Sequence, residues 1–156
     1  MLAGPLARRV GLPLFSKDEL KESLFETLGT GDPEWSRALG RASVALLFVI
    51  MERELAAGRS LVVEANLVAG EAEPRLAALP PHRAVQVHCT APEEVLMERY
   101  AGRTGRHPGH DDANRAAEVL ANIRSGRHRA LALDAPLIEV DTSAPADPAA
   151  IAARIR

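Results

Sequence analysis

The sequence predicts an α/β domain in which helices cover a mostly parallel sheet. Three observations carry this. Helical and extended patterns alternate along the chain, as they do when strands are joined by helical crossovers. Apolar residues make up 47% of the 156 residues and aromatics only 3%, so the chain can bury a core, built from Leu, Val, Ile and Ala. Polar groups gather where strands should end, at Ser16-Lys17-Asp18, Glu64-Ala65-Asn66, Thr90 and Asp141-Thr142-Ser143. In open parallel sheets, ligands bind at the C-terminal ends of the strands. The length fits a single domain over residues 1–156, and no repeat or linker divides it.

Each element has a local reason. Residues 2–9 read as the tail of a helix closed by Gly11. Residues 12–15 are a short apolar strand. Ser16 and Glu19 form an S-x-x-E capping box that starts a helix running to Leu28. The Gly29-Thr30-Gly31 turn ends it. Asp32 with Pro33 at the first helical position starts a long helix to Ala57, stopped by Gly58. Its middle, residues 44–51, is apolar on all sides and is expected to lie deep against the sheet. A strand over 60–63 follows, then a short helix over 71–79 broken by Pro80-Pro81. Residues 84–89 form a strand, and Thr90 to Glu93 a second capping box. Residues 102–112, polar and rich in Gly and His, read as a mobile loop. A helix over 112–130, a strand over 137–140 and a terminal helix over 148–156 complete the order.

Composition excludes several classes. The formal net charge of -2 argues against a nucleic-acid or membrane-surface binder. The single cysteine, Cys89, cannot form an internal disulfide, and no Cys/His cluster has zinc spacing. Cys89 lies in an apolar run and reads as a buried small hydrophobe. No segment resembles a signal peptide, and the longest apolar stretch is too short to span a bilayer. These features predict a cytoplasmic protein.

Five segments, in order, resemble one family. Residues 11–22 (GLPLFSKDELKE), 62–66 (VVEAN), Cys89 to Glu93 with Glu98-Arg99-Tyr100, 106–110 (RHPGH) and 138–142 (IEVDT) are similar to small bacterial P-loop kinases, AAA-family ATPases related to chloramphenicol phosphotransferase and zeta toxin. The resemblance covers nearly the whole chain. It implies a three-layer α/β/α domain, sheet order 2-3-1-4-5, with a lid at about residues 99–112. It also implies ATP and Mg²⁺ as ligands and a small-molecule hydroxyl as phosphoryl acceptor. The family's strongest motif is missing, since no G-x-x-x-x-G-K-[ST] occurs and neither Lys17 nor Lys21 follows a glycine. In the family that loop and its strand would precede the helix at residues 2–9. Met1 would then fall at or just after the loop, and the expected sheet lacks its first, central strand. The chain alone is accordingly expected to be inactive and poorly stable.

The candidate residues follow. Asp18, at a strand-to-helix junction, is a candidate base for an acceptor hydroxyl; a carboxylate favoured by the helix dipole is the plainer reading. Lys17 can contact substrate or simply be exposed. Glu64 and Asn66 end a strand; Glu64 could reach Mg²⁺ like a Walker B acid, and both could touch substrate. Arg99 and Arg103, four apart on one helix face, and Arg106 suit polyphosphate oxygens on a lid, or form a solvated basic face. We assign Arg103 and Arg106 to catalysis and Arg99, Arg103, Asp141 and Thr142 to the nucleotide. His107 and His110 are substrate candidates around a Pro108-Gly109 hinge. With Asp111 and Asp112 they do not make a zinc pattern. The alternative to a kinase is a non-catalytic module that holds an anionic partner through Arg99 to Arg106.

Overall fold

A computed structural model describes residues 2–104, 107–110 and 115–155. The elements are α1 (Ala3–Val10), β1 (Leu14–Ser16), α2 (Lys17–Leu28), α3 (Pro33–Ala56), β2 (Val62–Glu64), α4 (Ala72–Ala77), β3 (Gln86–Thr90), α5 (Glu93–Ala101), a 3-10 turn (Pro108–His110), α6 (Ala116–Arg124), β4 (Leu137–Asp141) and α7 (Pro148–Ile155). Helices and strands alternate as predicted. The pairing is parallel throughout, but the four described strands form two sheets of two rather than one continuous sheet. β1 pairs with β2, with Ser16 opposite Glu64. β3 pairs with β4, with Thr90 opposite Asp141.

One helix ties the halves together. α1 packs on α7 and also touches β1 and β2. Its Leu6 joins Ile138, Ile151 and Ala152 in a buried cluster flanked by Val10, Val85, Val87 and Val140. Gly11 ends α1 with φ of 72°, the left-handed conformation a side chain would disfavour, and returns its amide to Ala7 O.

Four expectations are corrected here. Ser16 does precede α2, but its side chain makes no cap; it is turned into the sheet instead. Thr90 does not cap α5 either, because Pro92 holds the N-cap position. The middle of α3 is not buried all round. Leu47 is fully enclosed and Phe48 and Met51 are buried, yet Leu46 and Val49 are 40% and 50% exposed. A helix turns every 3.6 residues, so a neighbour on one side covers only one face. Asp32 performs as read: its carboxylate accepts from Trp35 N at 2.7 Å, with Pro33 opening the helix. The helix predicted over 112–130 is shorter, with described residues helical only over Ala116–Arg124. The positive φ of Gly126 turns the chain soon after. Among the described residues no helix is long and apolar enough to cross a membrane.

Candidate functional site

The C-terminal ends of β1 and β2 meet in one polar knot. Parallel register sets Ser16 beside Glu64, and the Ser16 hydroxyl donates to Glu64 Oε2 at 2.7 Å. Ser16 is buried and Glu64 half-buried, so the hydroxyl fixes a carboxylate that the strand end would otherwise leave to water. The chain then enters α2, where the Lys17 ammonium lies 3.0 Å from Asp18 Oδ1. Asp18 occupies the first turn, where the helix dipole favours negative charge. Its side chain is 43% exposed, against 15% for Lys17. Lys17 is therefore not the freely solvated lysine of the plainer reading. Asn66 lies two residues past β2 and is exposed.

The ends of β3 and β4 make a second knot. Thr142 Oγ1 donates to Thr90 O at 2.8 Å, and Asp141 Oδ1 accepts from Ser143 N at 2.8 Å. The Ser143 contacts, side chain first, hold the Asp141 carboxyl below the usual carboxylate range, with Arg99 adding to the effect. Arg99 donates to Thr142 Oγ1 (3.3 Å), Thr142 O and Ser143 O. The structure thus brings Arg99, Asp141 and Thr142 together, but Arg99 binds the loop rather than pointing into open space.

Two further expectations change. Arg99 and Arg103 do not share a helix face, because α5 stops at Ala101 and the Arg103 guanidinium lies 5.0 Å from the Tyr100 ring. Cys89 is exposed rather than buried. Its thiol is nevertheless raised, by partial desolvation first and then by the Glu64 carboxylate.

The loop expected to be mobile is docked where it is described. Gly109 and His110 are buried, and His110 Nε2 lies 2.9 Å from Glu22 Oε1. His107 and His110 therefore face α2. Arg106, Asp111 and Asp112 lie outside the described residues. Among those described, no three His, Cys, Asp or Glu side chains are grouped to hold a metal. A shallow cavity of about 300 Å³ opens between Asp32, Glu34, Trp35, Ala38 and Arg41, and none of the strand-end residues lines it. We place the candidate site at the strand ends of β1 and β2, where Ser16, Lys17, Asp18 and Glu64 lie together.

Sequence reasoning missed Ser16 as Glu64's partner, and Lys21, Glu22, Phe25 and Ser36 as the surface under the 107–110 turn. One signal was available. Lys21 and Phe25 are four apart, one face of α2, and Lys21 is one of two lysines in an arginine-rich chain.

No protein-family model matches the chain, and neither does any curated protein. Solved structures do. A candidate kinase from Chloroflexus aurantiacus superposes with a TM-score of 0.88 at 35% identity, over 99% of this chain and 88% of that one. A sugar kinase from Janibacter sp. HTCC2649 superposes with a TM-score of 0.61 at 19% identity, over 99% and 83%, a likeness of fold alone. With that identity sustained over nearly the full length, this chain has a kinase-like α/β fold and belongs to the family of the Chloroflexus protein.

Proposed function

We propose that this chain is the body of an ATP-dependent phosphotransferase of the P-loop kinase type, acting on a small-molecule hydroxyl. The observation that carries the reading is the convergence of Asp18, Ser16 and Glu64 on one strand-end rim of a kinase-like fold. Asp18 is the candidate to take the acceptor proton, with Lys17 beside it. Glu64 fits Mg²⁺, which uses one or two carboxylates and fills its other positions with water and phosphate oxygens. Only Oε2 of Glu64 is engaged among the described residues. Arg103 is the candidate for phosphate oxygens. When bound, ATP supplies the phosphoryl group and Mg²⁺ offsets its charge.

The residues present do not fit a phosphate anchor. The sequence contains no G-x-x-x-x-G-K-[ST] loop, and Arg99 is engaged by carbonyl groups. In this reading the anchor arrives on a further parallel strand between β2 and β3, which would give the 2-3-1-4-5 order. The division of the strands into two parallel pairs supports that location. The alternative, a non-catalytic anion-binding module, is weakened by the same engagement of Arg99.

Calorimetry with Mg²⁺ and ATP tests the reading, on the 156-residue chain and on the chain extended by whatever is encoded upstream in frame. We expect no tight binding by the first. The extended chain should bind ATP and phosphorylate a member of a panel of alcohols. Asp18→Asn should abolish transfer and spare ATP binding. Tight binding by the 156-residue chain would refute the external anchor. An extended chain with neither the strand and loop nor ATP binding would refute the kinase reading. Product analysis separates transfer from simple hydrolysis.

A further inference from the structure

Three kinds of contact seat the 107–110 turn on α2 and α3. The Phe25 ring stacks on His107 with centroids 5.2 Å apart and meets the edge of His110 at 5.7 Å. Ser36 Oγ donates to Gly109 O at 3.0 Å and accepts from Lys21 Nζ at 2.9 Å. Glu22 Oε1 is 2.9 Å from His110 Nε2. The fit is close: a Cβ added at Gly109 would come within 2.8 Å of three Phe25 ring atoms.

Lys21 is the informative member. An ammonium only 3% exposed is costly to bury unless it is held by partners. Here it meets Ser36 of α3 and lies 5.0 Å from the Phe25 centroid. One side chain of α2 therefore reaches α3 and, through the Ser36 hydroxyl, the backbone of the turn.

We infer that Lys21, Phe25 and Ser36 are positioning residues that couple the 107–110 turn to α2, the helix that begins at Lys17-Asp18. Seating the turn and ordering the first half of α2 are one event. That this coupling serves phosphoryl transfer rests on the reading above; the coupling itself does not.

Hydrogen exchange read by mass spectrometry on the full 156-residue chain tests it. Gly109→Ala should speed exchange roughly tenfold in the peptide containing 107–110 and in residues 17–24, leaving 138–155 as in the parent chain. Phe25→Leu alone should also loosen both peptides, and added to Gly109→Ala it should loosen them by less than the sum of the two changes, because the ring that the new methyl group strikes is already gone. A general loss of packing would make the two changes additive instead, and additivity overturns the inference. Faster exchange confined to 107–110, with 17–24 unmoved, overturns the coupling. A parent chain unprotected at 107–110 overturns the seat. If Gly109→Ala unfolds the whole chain, Ser36→Ala decides: it removes both hydrogen bonds without a clash, should loosen the same two peptides, and refutes the inference if neither changes. No readout uses nucleotide, so this inference and the kinase reading fail separately.

Discussion

Ser16 and Glu64 show how one hydrogen bond organises the rim. The hydroxyl is 1% exposed and 2.7 Å from a half-buried carboxylate. Ser16→Ala should lower stability by about 1–2 kcal/mol and free Glu64 to rotate, measured as a shift in the urea midpoint at constant slope. The surface carboxylates make a different prediction. Glu54 is held below its ordinary value by hydrogen bonds from Arg59, Glu93 by Arg124, Glu118 by Arg115 and Asp141 by Ser143. A carboxyl whose folded value is depressed contributes stability above its unfolded value and loses it as pH falls through the folded one. The urea midpoint should therefore drop as pH falls below about 4.5, with little contribution from these groups to any change between about pH 5 and 7. Added salt should shrink the drop, since these pairs are largely exposed.

At the scale of an element, α3 is the best-specified piece. Its cap depends on Asp32, and Asp32→Ala should cost about 1 kcal/mol by stripping Trp35 N of its acceptor. Trp35 also donates Nε1 to Gly29 O at 3.1 Å, so its fluorescence should report the loosening. The buried face is less forgiving. Leu47 is 0% exposed, and Leu47→Ala should cost roughly 2–5 kcal/mol, read by urea unfolding. The signals for this helix were local and therefore legible: a capping aspartate, a first-position proline and a closing glycine. The S-x-x-E pattern at Ser16 is just as local, yet it misled. A side chain at a strand end has a second direction to turn, and here the Ser16 hydroxyl turns across the ladder to donate to Glu64, away from the helix amides it would accept from. Docking of the 107–110 turn was illegible for a related reason. A polar, glycine-containing stretch looks mobile until its partners, here Phe25 and Ser36 from 73 or more residues away, are known.

For the whole molecule, the weak point is the division into two parallel pairs. Among the described residues no ladder joins β2 to β3, and α1 bridges the pairs through Leu6 against Ile138, Ile151 and Ala152. Leu6→Ala should cost roughly 2–5 kcal/mol and, because it strikes the bridge, should broaden thermal unfolding into two steps, visible by calorimetry. A strand paired between β2 and β3 should raise the melting temperature and merge any such steps.

Taken alone, the amino-acid order was enough to establish the α/β class, the order of elements and the polar residues at the strand ends. Periodicity, caps and strand-end polarity act over a few residues, and those are written in the chain. Which side chain wins each hydroxyl, where the arginines point and whether the strands join into one sheet came only from the folded arrangement. Those outcomes are contests between groups far apart in sequence, settled by register and distance rather than by local preference.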